Sequence, residues 1–140
     1  MKSKQFILLV VAFLLLIATP RLFADSPENE AVKAAKVWLS LVDDGKYGPS
    51  WDQAAELFKE ALSRDKWEQA LAATRKPMGN MISRKLESAR HVTSLPGAPD
   101  GDYIVIRFDT SYTNKTSAIE TITPMKDKDG IWRVSGYFIK

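Results

Sequence analysis

The chain has no cysteine and one histidine among its 140 residues. Without cysteine there is no disulfide, no thiolate metal site and no thiol nucleophile, and no residue to carry the lipid of a bacterial lipoprotein. A lone histidine excludes a two-histidine zinc site. No glycine-rich phosphate loop and no dinucleotide fingerprint occurs, so the sequence implies no cofactor and no metal. An excess of one charge is also missing from most of the chain. There are 20 Lys+Arg against 17 Asp+Glu, but Lys2, Lys4 and Arg21 all lie in the first 24 residues, which hold no acid. The remainder is balanced. A nucleic-acid binder displaces counterions with a basic face, and an anionic membrane attracts a basic run. Neither partner is expected here.

Long apolar runs are absent but for one, the 13 residues from Phe6 to Ala18. That is short of the ~20 residues a helix needs to cross ~30 Å of hydrocarbon. Lys2 and Lys4 precede it, and Thr19 to Ala24 follow, ending on a small residue. This is the three-part pattern of a secretory signal. It predicts a signal peptide over 1–24, cleavage between Ala24 and Asp25, one domain over 25–140, and export to the periplasm or the medium. An uncleaved anchor is the alternative.

From Glu28 to Asp44, Ala31, Ala34, Ala35, Trp38, Leu41 and Val42 recur at helical spacing, and Gly45 supplies a stop. Tyr47-Gly48-Pro49 reads as a turn. Ser50 with Gln53 reads as a capping box opening a second helix with Trp51, Ala54, Leu57 and Phe58. Ser63 caps a third, with Trp67, Ala70 and Leu71, ended by Pro77 and Gly79. Past Gly79 the period changes to two. Strands are expected over 82–95, 102–112, 117–125 and 131–139, with turns at 95–101, 113–116 and 127–130. Helices that all precede strands argue for an α+β fold, three N-terminal helices on a four-stranded antiparallel meander. A four-residue final turn sets Met125 beside Trp132, Thr123 beside Val134 and Ile119 beside Phe138. These join Ile104, Ile106 and Phe108 on the helix-covered face. The opposite face then carries Arg107, Asp109, Glu120, Ser135 and Tyr137 with Val105, Ile122 and Ile139.

Several segments resemble one family. They are Ala35 to Tyr47 with Ser50-Trp51, Trp67, Arg75-Lys76-Pro77-Met78-Gly79, Ser83-Arg84, Leu95-Pro96-Gly97 with Pro99-Asp100-Gly101, Glu120-Thr121, and Trp132 to Tyr137. The family is the bacterial, exported "domain of unknown function 4019", and the resemblance covers nearly all of the chain after residue 24. It implies a small exported protein and brings no activity. The element order is similar to a simplified cone of the cystatin and nuclear-transport-factor-2 type, a fold that hosts enzymes, binders and dimerisation modules alike.

Four residues are the candidate ligand-binding set. Arg75 and Arg84 bracket the Pro77–Gly79 turn and can grip an anion, or bond to helix-end carbonyls and nearby acids. Glu120, mid-strand, can act as a general base if burial raises its pKa, or be held in a structural pair by Arg107, Arg133 or Tyr137, which is the preferred reading. Tyr137 shares its face. The four tryptophans line a pocket or fill the core, and the core is preferred. His91 reads as a surface strand residue, Asp127 to Gly130 as a hairpin turn rather than a calcium loop, and Asn114-Lys115-Thr116 as a turn. No catalytic residue is assigned. The expectation is a non-enzymatic envelope or secreted module that binds an unknown protein partner or a second copy through the mixed sheet face. A small-ligand binder or acid–base enzyme, using a pocket between helices and sheet, is the alternative.

Overall fold

The computed structural model describes residues 25–140, so the expected signal peptide over 1–24, with Ala24 at its expected cleavage site, lies outside the described residues. Asp25 is exposed, just ahead of the first helix. Helix α1 runs Pro27–Asp43, capped by Ser26, whose side chain accepts from the Asn29 N–H. Pro27 sits in the first turn, where its missing N–H costs nothing. The buried stripe is Ala31, Val32, Ala35, Trp38, Leu39 and Val42. It is rotated slightly from the expected one, so Ala34 and Leu41 are only half-buried.

The next segment departs from expectation. Tyr47-Gly48-Pro49 is the first turn of helix α2, Tyr47–Asp52, rather than a loop. Ser50 is a buried helical residue, not a cap. The chain then breaks, because the Ala55 N–H donates 2.8 Å to the Val134 carbonyl on the sheet instead of continuing a helical ladder. A short α3 follows at Glu56–Ala61, and α4 at Arg64–Arg75, capped by Ser63 as expected. The described residues thus hold four helices rather than three, plus a 3₁₀ turn at Lys76–Met78. Gly79 leaves that turn with φ 78°, a conformation that favours glycine.

The sheet is the expected antiparallel meander, β1 Met81–Val92, β2 Tyr103–Tyr112, β3 Lys115–Lys126 and β4 Trp132–Ile139, in sequence order. Bulges interrupt β1 at Ile82 and Glu87, where the partners on β2 advance by one fewer residue. The final hairpin corrects the expected register. Asp127 N–H bonds to Ile131 O, and Gly130 N–H returns to Asp127 O with Gly130 at φ 81°. That is a three-residue loop closed by a left-handed glycine, one residue shorter than expected. The slip sets Lys126 beside Trp132, Pro124 beside Val134 and Thr121 beside Phe138. Because side chains alternate, one residue of slip turns a strand over. Ala118, Glu120, Ile122 and Pro124 therefore face the helices, and Ile119, Thr123 and Met125 face away. A second shift, between Thr123 and Pro124, leaves Ser135 unpaired on β4. Trp132 and Val134 point inward as expected. Beyond that shift Tyr137 turns to the core and Phe138 outward, at 56% exposure.

The core lies between the α1, α3 and α4 stripes and the inner sheet face. Ile104, Ile106 and Phe108 pack there as the alternation predicts. Trp38, Phe58, Trp67 and Tyr137 form a joined aromatic group, with Phe58 edge-on to Trp67 at 4.9 Å between centroids. Ser50 fixes two of these rings: its carbonyl accepts from Trp38 Nε1 at 2.7 Å and its hydroxyl from Trp67 Nε1 at 2.9 Å. Trp51 and Trp132 donate to Leu62 O and to Glu30. The tryptophans thus belong to the packing between the layers.

Candidate functional site

Once β3 is turned inward, the four candidate residues meet at one end of the core. Asp43 closes α1, Arg75 closes α4, Arg84 points inward from β1, Glu120 from β3 and Tyr137 from β4. Arg84 is clasped by two carboxylates. Its Nε and Nη2 reach Glu120 at 2.7 and 3.3 Å, and its Nη1 and Nη2 reach Asp43 at 2.8 and 3.0 Å. Arg75 Nη2 adds a bond to Asp43 at 2.9 Å. Thr110 Oγ1 donates to Glu120 at 2.5 Å, and the Tyr137 hydroxyl donates to the other oxygen. Glu120 is fully buried, and the Arg75 and Arg84 side chains are 3% and 9% exposed. Arg75 also stacks on the Tyr112 ring, 4.6 Å from guanidinium carbon to centroid.

Burial alone would favour neutral carboxyls, but the guanidiniums outweigh it. At Glu120, Arg84 together with Thr110 and Tyr137 holds the pKa below the usual carboxylate value despite desolvation. At Asp43, Arg84 and Arg75 do the same against desolvation. Desolvation likewise opposes the charge on Arg84, and Asp43 and Glu120 reverse it, so its pKa rises. Tyr137 is pushed up by burial and by the Glu120 charge, and Tyr112 by the same causes to about 12, with Arg75 pulling the other way. The cluster is thus a network of fixed charges, two of each sign.

A carboxylate offers about four acceptor positions, and Glu120 receives four donors, two from Arg84 and one each from Thr110 and Tyr137. It has no lone pair free to take a substrate proton, and its lowered pKa is the reverse of a general base tuned toward neutrality. The structural-pair reading of Glu120 stands: Tyr137, one of the three expected holders, donates to it, and Arg84 joins as an unexpected one. Arg133 instead bonds Asp127 and Asp129, and Arg107 lies 3.8 Å from Glu87. The desolvated carboxylate and arginines expected of a ligand site are present, but Glu120 and Arg84 are spent within the cluster, and only Arg75 keeps N–H groups without a partner among the described residues. Two open grooves, of about 870 Å³ beside α3 and about 670 Å³ between α1 and β4, are lined by none of the four candidates.

His91 is partly exposed and lies 2.9 Å from Asp102. Asn114 donates to Pro77 O, so its loop is a turn tied to the 3₁₀ segment. No group of three or more potential metal ligands gathers among the described residues. No helix among them is long and apolar enough to cross a membrane. Sequence reasoning missed three members of the cluster. Asp43 had a signal: an acid in the last turn of a helix opposes its dipole and calls for a cation. Thr110 and Tyr112 share the inward parity of Ile104 to Phe108.

The family model described as "Protein of unknown function (DUF4019)" matches residues 34–137. That span contains every residue of the cluster. No curated protein matches the chain.

Proposed function

Because the chain belongs to the DUF4019 family, whose description carries no activity, function has to be argued from the site, and we propose that the protein is an exported, non-enzymatic binding module of a bacterial cell envelope or its surroundings. One observation carries this reading: Glu120, the only fully buried carboxylate among the described residues, has all its acceptor positions filled by the protein itself. A cluster of this kind ties six secondary elements into a rigid support and leaves the surface free to recognise a partner. The surface that suits recognition is the outer sheet face. Val105, Ile119 and Phe138 alternate there with Arg107, Asp109 and Thr121, and Phe138 is 56% exposed. Charges of both signs beside apolar groups suit a protein partner, a second copy of the chain included. The sequence pattern assigns Tyr137 and Ile139 to this face, but Tyr137 packs against the core, so a test must use Phe138.

Native mass spectrometry of the protein from its own host tests the reading. The expected mass is that of the chain from Asp25 onward, alone or in protein complexes. A small molecule retained by the wild type and lost in Glu120→Gln refutes it. A product that starts at Met1 refutes cleavage, and with it the exported form. Light scattering then reads self-pairing, and a dimer that dissociates in Phe138→Asp identifies the outer face as its interface.

A further inference from the structure

The charge cluster has more donors than acceptors. Arg75 spends only Nη2, on Asp43. Its Nε and Nη1, and the Tyr112 hydroxyl beside it, are buried with no hydrogen-bond partner among the described residues. The residues are closed off, Arg75 at 4% and Tyr112 at 0% exposure, and they stack on each other. Glu120 acts on the Tyr112 phenol through its charge and, more weakly, as a side-chain hydrogen-bond acceptor, but that approach falls outside hydrogen-bond geometry, and the Glu120 oxygens are already taken by Arg84, Thr110 and Tyr137. Buried donors left bare cost on the order of 1–3 kcal/mol each, which is why native proteins seldom keep them.

We infer that the Arg75–Tyr112 corner is a binding site for an ordered internal water that accepts from the Tyr112 hydroxyl and from an Arg75 N–H. The bound species must be an acceptor, because only donors are in surplus. It must be small, because both side chains are enclosed. It must be neutral, because the formal charges of Asp43, Glu120, Arg75 and Arg84 already cancel and a buried extra charge is costly. Water meets all three demands. A water with two to four polar partners is the usual way such groups are satisfied. The water is a fixed part of the clasp that joins the ends of α1 and α4 to the sheet.

The test is a crystal structure fine enough to show ordered solvent, paired with thermal melts of Tyr112→Phe. This variant keeps the ring against Arg75 and removes only the hydroxyl. The expected result is a density peak within bonding distance of Tyr112 Oη and one Arg75 nitrogen, and a Tm lower by about 4 °C in the variant. Three outcomes overturn the inference: a variant as stable as the wild type or more so, a Tyr112 hydroxyl found directly on Glu120, or an anomalous peak at the corner after bromide soaking, which makes the occupant a halide.

Discussion

Replacing Arg84 with methionine is the most direct test of the charge clasp. Methionine keeps much of the volume and removes the guanidinium that both carboxylates share. Asp43 would retain Arg75, while fully buried Glu120 would retain only the Thr110 and Tyr137 hydroxyls. Breaking a buried pair by removing one partner costs about 3–5 kcal/mol, since the other charge stays buried without compensation. With about 2.1 cal/mol/K of unfolding entropy per residue, the 116 residues described turn that loss into a Tm drop of roughly 12–20 °C. Circular dichroism melts at neutral pH measure it. The pH dependence supplies a sign. In the wild type, Glu120 and Asp43 have folded pKa values below their ordinary 4.5 and 3.8. Their stabilisation is complete above those values and is lost as pH falls through the lower folded pKa, so the wild type weakens in acid. In the variant, Glu120 loses its cation and its pKa rises, so lowering the pH from neutral should stabilise. Adding Glu120→Gln to the variant should recover part of the loss, a coupling that a double-mutant cycle reads. A loss under about 1 kcal/mol, an unchanged pH slope, or a cycle that closes to zero would refute the clasp.

Other expectations follow from single contacts. Ser50→Ala leaves the Trp67 Nε1 donor buried without its acceptor and should cost about 1–3 kcal/mol in urea unfolding. Ser63→Ala removes the side-chain cap of α4 and should cost about 1 kcal/mol by the same assay. Phe138→Asp, on the outer sheet face, should leave the monomer's stability within about 0.5 kcal/mol, whereas an inward Phe138 would make this change severe. In spectrophotometric titration, Tyr112 should ionise only near pH 12, seen as the part of the phenolate signal missing from Tyr112→Phe.

Much of the fold is legible in local pattern. Ser26 apart, α1 and α4 announce themselves by apolar spacing and caps, and β2 by strict alternation from Ile104 to Phe108. What stays hidden depends on distant contacts. Nothing local to Gln53–Ala55 says that the Ala55 N–H prefers a carbonyl 79 positions further on, and that bond divides the expected second helix. The β3 faces turn on one residue of loop length. Asp127 to Gly130 suggests a turn whether three or four residues close it, yet the two choices send Glu120 to opposite sides of the sheet. For the same reason Arg75, Arg84, Glu120 and Tyr137 were each recognisable as unusual, while their meeting was not. The local pattern sets two beside a turn and two on the sheet face opposite the helices. Asp43, which joins them, showed only as a charge at the wrong pole of its helix.

The Ala55–Val134 bond also bears on how the molecule behaves in a crowd. A meander exposes two flanking strands, and unsatisfied backbone along either one invites foreign chains to zip on and build fibrils. At β4 that invitation is partly withdrawn, since the Val134 carbonyl is already engaged by the start of α3. At β1 the irregularities at Ile82 and Glu87 break the even ladder an incoming strand would need, and the exposed Lys85, Glu87 and Arg90 crowd the same stretch with charge. The protein should therefore resist amyloid-like growth at high concentration, with its lateral margins guarded by one peptide hydrogen bond on one flank and two kinks on the other.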